Sequence, residues 1–315
     1  MNKICYLNKK QTCIRPVLIL LTSHRLDCLI LCLRCLEWYT NIDNFKEIYI
    51  ISNAASEEHQ AVIGRFLAKH PNASKIDCRP RGLVPAVANT LNAILTAHKN
   101  DLVVKLDEDV FVTPHWLEHM TEASRAYKNT ARAAALSPVV PISAMGREVL
   151  GRFLRSAYPS ERRMFQGPEV PVNWVYHRWI WEKVLGENLA EVYLAGQRGR
   201  YQTTQNVSFS CLFMTAPLQD LILPLPMSGA QGESLFNYPA LAEAMNRAGL
   251  GAVVVSRCLV HHYSHVACED YLRSRVPLEA VWKYMQSLPA REHFRHEILR
   301  AADNRAAAKL ALVRA

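Results

Sequence analysis

Four short strand-like runs, separated by three stretches of helical periodicity, constrain the first third of this chain more than any other feature. The runs are residues 16–22 (PVLILLT), 47–52 (EIYIIS), 75–79 (KIDCR) and 101–106 (DLVVKL). The first is a short apolar run and reads as a buried strand, while 75–79 is the weakest of the four. Between them, Leu26, Leu29, Ile30 and Leu33 recur at helical spacing, as do Val62, Ile63, Phe66 and Leu67, and then Val87, Leu91, Ile94 and Leu95. Ser56 reads as a helix N-cap, and Pro85 opens the third helix. Strand–helix alternation closes by right-handed crossovers into a parallel sheet with helices on both faces. The expected class is therefore α/β, with a mostly parallel, doubly wound sheet of Rossmann-like character. Ligands of such sheets bind beyond the carboxyl ends of the strands. That rule selects residues 22–25, 52–55 and 107–109.

The second half is less regular. Residues 114–128 read as a helix, 133–139 and 206–215 as strands, and 233–248 as a helix stopped by Gly249 at the C′ position. Residues 251–260 form a last strand that runs into His261-His262-Tyr263-Ser264-His265. Residues 141–200, rich in Arg, Pro, Gly and aromatics, show no traceable period. From Pro277 onward the pattern is helical and basic, which predicts a main domain over 14–272 and a helical C-terminal extension over 273–315.

Composition narrows the partners. The formal charge of +9 suits an anionic ligand, an acidic membrane surface or nucleic acid. The basic residues are scattered rather than gathered in a stripe with aromatics, so nucleic acid is not expected. Nine cysteines, an odd number in a long chain, read as reduced thiols, and no apolar run approaches the ~18 residues of a membrane span. The expected setting is cytoplasmic. Residues 291–315 are basic with a thin apolar face, which suits a helix packed on the domain or, alternatively, peripheral contact with the inner face of a membrane.

The chemistry centres on Asp107-Glu108-Asp109, where the fourth strand runs out. Side chains alternate along a strand, so Asp107 and Asp109 point to one side and Glu108 to the other. Two converging carboxylates repel each other, and a hard divalent cation relieves the repulsion. Mg²⁺ or Mn²⁺ binds oxygen ligands and is completed by phosphates and water.

The stretch LVVKLDEDVFVTPHW at 102–116 resembles the region around the DxD motif of family 2 glycosyltransferases. Three further segments resemble the same family in the same order. They are PVLILLTSHR at 16–25, RGLVPAVAN at 81–89, and the acidic helix start at Glu233 followed by Leu259-Val260-His261-His262. The resemblance implies a GT-A fold and transfer of a sugar from a nucleotide-diphosphate sugar to a hydroxyl of a glycan or lipid-linked acceptor. It implies a hexosyltransferase that inverts the anomeric centre and needs Mn²⁺ or Mg²⁺, with surface-polysaccharide synthesis the usual setting. Asp107 would contact the nucleotide side of the donor, and Asp109 would ligate the metal. Thr22, Arg25, Asn53, Arg81 and Asn89 complete the implied donor-binding set. His261 is the expected further metal ligand, with His262 or His265 as alternatives. Glu233 is the expected catalytic base, with Glu269 or Asp270 in reserve. The sequence departs from the family at Asn53, where an acidic residue is usual, and at Glu233, which stands without a second carboxylate beside it.

Other features compete. Cys28, Cys32 and Cys35 have the spacing of a radical-SAM cluster motif but are interleaved with the leucines of a helix face, so buried thiols are expected. Trp174, Tyr176, His177, Trp179 and Trp181 suit either an acceptor-binding wall or a packed helix. Arg198 and Arg200 read as a solvated loop rather than a diphosphate clamp. The one function of a different class is a non-catalytic GT-A-like protein that binds nucleotide sugars.

Overall fold

The computed structural model describes residues 14–53, 56–127, 133–167, 169–197, 199–204, 207–225 and 238–289. The first half runs β1 (Val17–Thr22), α1 (Leu26–Tyr39), β2 (Glu47–Ser52), α2 (Glu57–Lys69), β3 (Ala73–Asp77), α3 (Val84–Ala97) and β4 (Val103–Asp107), as the strand-like runs predict. Strand β1 pairs in parallel with β2 on one side and β4 on the other, and β2 pairs in parallel with β3. The chain then continues through β5 (Val110–Phe111), α4 (Trp116–Tyr127) and β6 (Ala133–Val139).

Residues 141–200, which show no period in the sequence, are helical: α5 (Ala144–Ala157), α6 (Arg162–Phe165), α7 (Trp174–Glu187) and α8 (Leu189–Gly196). Of the expected strand at 206–215, β8 (Cys211–Met214) forms, and it is preceded by an unexpected strand, β7 (Tyr201–Thr204), which has no apolar signature. After them come α9 (Ala216–Ile222), α10 (Tyr238–Arg247), β9 (Gly251–Leu259), β10 (His261–His262), α11 (Glu269–Arg275) and α12 (Leu278–Ser287). Gly249 ends α10 at φ +65°, a conformation that costs glycine little.

The main sheet has the order β3-β2-β1-β4-β8-β6-β9-β7. Strand β8 is antiparallel to both β4 and β6, β9 is parallel to β6, and β7 is antiparallel to β9. The sheet is thus mostly parallel with antiparallel insertions. A separate two-stranded ladder pairs β5 with β10.

Alternation along β1 assigns the two cores. Leu18 and Leu20 enter the face covered by α1, α2, α4 and α7, while Val17 and Ile19 enter the face covered by α3, α9 and Met245 of α10. Both faces are therefore closed, which is why β1 reads as an apolar run. The domain boundary expected after residue 272 falls inside α11, and α12 belongs to the main core through buried Val281 and Met285. The Tyr39 hydroxyl donates to the Met285 carbonyl. Residues 290–315 lie outside the described residues.

Candidate functional site

The acidic triplet sits where the sheet rule puts it, at the carboxyl end of β4, and its three side chains have three different partners. Asp107 stays in strand register, and its Oδ1 lies 2.5 Å from Lys105 Nζ, two residues back on the same side of the strand. Burial pushes the Asp107 carboxyl upward and Lys105 opposes that shift. Its side chain is 28% exposed, with the Lys105 ammonium in contact.

Glu108 points the other way and is only 5% exposed. Its carboxylate accepts from Thr22 Oγ1 at 2.5 Å, from the backbone N–H of Ser23 at 3.1 Å, and from those of His24 and Arg25 at 3.3 and 3.2 Å. Helix α1 has no side-chain cap of its own at Arg25. Glu108 thus supplies, from another strand, the anionic acceptor that the turn entering this helix needs. Thr22, expected at the donor, is held by Glu108 and shapes the β1–α1 turn.

Asp109 is buried at 3% exposure and meets two basic groups. The Arg25 guanidinium contacts its Oδ2, and His262 Nε2 lies 3.1 Å from the same oxygen. Burial alone would raise the Asp109 carboxyl, but His262 and Arg25 hold it far below the usual carboxylate range. Arg25 Nη1 also donates to the Ser264 carbonyl at 3.1 Å, and its Nη2 lies 2.6 Å from Glu269 Oε2. One guanidinium therefore joins the β1–α1 turn, the acidic triplet and α11 in a buried charge network.

The β5–β10 ladder brings a histidine to Asp109. His262 faces Val110 in register, and the Tyr263 N–H donates to the Asp109 carbonyl at 2.8 Å. Because adjacent residues on an extended segment point oppositely, His261 turns away. Its ring lies 5.3 Å from that of Trp181 and 5.5 Å from that of Tyr284, and burial lowers its pKa to about 3. The geometry brings His262, rather than the expected His261, to the acidic triplet. His265 follows behind, its ring 4.9 Å from that of His262, with Nε2–H donating to the Ile142 carbonyl at 2.9 Å.

Asn53, after β2, accepts from the Gly82 N–H at 2.8 Å and so ties the 79–83 loop to the sheet edge. Gly82 sits at φ +76°, the conformation this turn requires. Arg81, in the loop before α3, and Asn89, within α3, are both exposed. Glu233 lies outside the described residues. Of its reserves, Glu269 is bonded to Arg25 and also lies 2.8 Å from Arg273, while Asp270 is exposed.

The sequence reading missed the Glu108 clamp and the Lys105–Asp107 pair. Both had a signal in the alternation, since Lys105 shares a face with Asp107 and Glu108 faces away from both. Cys28, Cys32 and Cys35 are fully buried along α1, and burial raises all three thiols. A helix interior has no room for an iron–sulfur cluster, so the radical-SAM reading loses its motif. Of the aromatic run, Tyr176, His177, Trp179 and Trp181 are core, and Trp174 alone is exposed.

Asp109 and His262 are of the donor types that hold a divalent ion, and here they meet each other at hydrogen-bond distance while Arg25 contacts the same Asp109 oxygen. Among the described residues no group of three or more His, Cys, Asp or Glu side chains joins to hold a metal. An ion here would take its remaining ligands from phosphate and water, the usual habit of Mg²⁺ and Mn²⁺.

No family model matches the sequence, and no curated protein matches it. In structure the chain is similar to a mannosyltransferase from Pyrobaculum calidifontis in complex with GDP-Man and Mn²⁺, at 13% identity and a TM-score of 0.50, over 88% of this chain and 66% of that one. It is also similar to GalNAc-T7 with UDP, GalNAc and Mn²⁺, at 11% identity and a TM-score of 0.51, over 82% of this chain and 45% of that one. The chain thus spans just under two thirds of the first and under half of the second. At such identities the likeness concerns fold, and the fold is α/β of the GT-A type.

Proposed function

We propose that this chain is a glycosyltransferase that binds a nucleotide-diphosphate sugar across the carboxyl ends of β1, β2 and β4. The observation that carries the reading is the Asp109–His262 contact at the end of β4, inside a GT-A sheet. Asp109 and His262 are the residues that would hold Mn²⁺ or Mg²⁺, which would supply Lewis-acid charge to the leaving diphosphate. Asp107, free on one oxygen, faces the nucleotide side of the donor, and Arg81 and Asn89 complete the donor-binding set. Glu108 and Asn53 fix the two turns between which the nucleotide lies. Arg25 neutralises Asp109 and Glu269 until the donor arrives and is placed to meet diphosphate charge itself.

The reaction proposed is inversion in one displacement. The acceptor hydroxyl oxygen bonds to the anomeric carbon as the bond from that carbon to the diphosphate breaks. The hydroxyl proton passes to a carboxylate. Glu269 is already engaged by two guanidiniums, Arg25 and Arg273. Glu233 is accordingly the proposed base, and a hexose the proposed group transferred. The acceptor is a glycan or a lipid-linked sugar. No described helix is long and apolar enough to cross a membrane. A lipid-linked acceptor would therefore be met at a surface.

A second reading, a non-catalytic nucleotide-sugar-binding protein, draws on Arg25, which already satisfies Asp109 with a fixed cation. Incubating the protein with UDP- and GDP-hexoses and Mn²⁺ and measuring released nucleoside diphosphate separates the two. Slow release from one donor class, lost in Asp109→Asn, supports a transferase. Tight binding without release, even with sugar acceptors present, supports the binding protein.

A further inference from the structure

The aromatic residue that stayed outside the core has a partner. Trp174, 45% exposed at the start of α7, packs its ring 4.2 Å from that of Tyr271 on α11, at an interplanar angle of 52°. Each ring has an arginine one helical turn further along its own helix. Arg178, four residues after Trp174, reaches the Tyr271 hydroxyl. Arg275, four residues after Tyr271, holds its guanidinium 5.8 Å from the Tyr271 ring. Both guanidiniums thus gather on Tyr271, against which the half-exposed Trp174 ring packs.

The charge of this surface is cancelled on one side only. Arg178 is paired with Glu182 at 2.6 Å, and Glu269 is engaged by Arg25 and Arg273. Asp270 is exposed, one residue before Tyr271 and on the adjacent side of the helix. Arg275 has no ion pair among the described residues. Glu269, two residues before Tyr271 on α11, is the group bound to Arg25, so the same short helix carries the candidate site's ion pair on one side and this surface on the other.

We propose that Trp174 and Tyr271 form a sugar-binding platform for the acceptor, stacking a pyranose ring whose anionic substituent is met by Arg275, while Arg178, held by Glu182, fixes the Tyr271 hydroxyl. Aromatic faces suit the C–H faces of a sugar, and an unpaired guanidinium above them selects for negative charge. The anion is either a sugar carboxylate or the phosphate through which a sugar is linked to a carrier. This inference rests on the glycosyltransferase reading for its role, but its binding test does not.

The full-length protein is titrated with methyl glucuronide, glucose 1-phosphate and methyl glucoside while the tryptophan indole NMR signals are followed. The expected result is that the Trp174 signal moves with at least one of the anionic sugars, at an affinity about ten-fold above that for methyl glucoside. Which one moves it identifies the anion. The affinity, measured by calorimetry in the variants, should fall about ten-fold in both W174A and R275A. Thermal stability and Mn²⁺-dependent nucleotide binding should be unchanged in both variants. Equal affinity for the neutral sugar, no Trp174 shift with any sugar in the unsubstituted protein, or binding that survives both substitutions would overturn the proposal. Anionic-sugar binding that needs Trp174, in a protein that binds no nucleotide, would keep the platform and remove the transferase reading.

Discussion

His262 Nε2 lies 3.1 Å from the Asp109 carboxylate, while the neighbouring His261 faces the opposite way into Trp181 and Tyr284. Two chemically identical residues, adjacent in sequence, are thereby given different work by the pleat of a two-residue strand. His262→Ala should lower Mn²⁺-dependent turnover by at least the ~10–100-fold that loss of a supporting group at a metal typically costs. His261→Phe should keep the metal dependence and change only stability. Activity against Mn²⁺ concentration in the two variants checks this, and equal loss in both would count against it.

Arg25 is one cation between two buried carboxylates. Arg25→Met should destabilise the fold by about 3–5 kcal/mol, because Asp109 and Glu269 are left facing each other without compensation. The same variant should be stabilised by Mn²⁺ more than the wild type is, since an ion then replaces the lost guanidinium. Urea unfolding with and without Mn²⁺ measures both effects.

Glu108 matters through the turn it holds. Glu108→Gln keeps the shape, but its amide nitrogen faces N–H donors where an acceptor is needed. Each charged hydrogen bond lost is worth about 1.5–3 kcal/mol. The expected outcome is a loss of stability of that order for the whole cluster, with nucleotide affinity weakened through the displaced 22–25 turn. Backbone amide exchange at Ser23, His24 and Arg25 should rise in the variant, and unchanged protection there would contradict the assignment.

His177 gives a test by pH. It is fully buried, its Nε2–H donates to the Val170 carbonyl at 2.8 Å, and Nδ1 has no partner. Burial lowers its pKa from 6.5 to about 4. The unfolded chain therefore binds a proton in this window that the folded protein refuses. The contribution of His177 to stability is complete above pH 6.5 and is lost as the pH falls toward 4. The slope is at most about 1.4 kcal/mol per pH unit. His177→Phe should remove that part of the acid slope in urea titrations between these limits, whatever it does to stability at neutral pH.

What could be read from the sequence followed from periodicity. The four parallel strands, their helices and the place of the acidic triplet all come from runs whose neighbours share their environment. Within residues 141–200 the plainest case is α7, bounded by Asn173 and Asn188, which carries large residues on several faces, so no single apolar stripe marks it. The choice between His261 and His262 resisted for another reason. It depends on the register against Val110 and Phe111, and a slip of one residue exchanges the two faces. The double role of Arg25 depends on α11, more than 240 residues away, and local pattern carries no trace of such a partner.

The most direct test is calorimetric titration of the protein with UDP and GDP, with and without Mn²⁺, on the wild type, Asp109→Asn and His262→Gln. One nucleoside diphosphate should bind in the presence of Mn²⁺, bind far more weakly without it, and lose the Mn²⁺ enhancement in both variants. A folded protein that binds neither diphosphate, or binds one equally well with and without Mn²⁺ in all three forms, would contradict the assignment of Asp109 and His262 as the metal-holding pair of a nucleotide-sugar site.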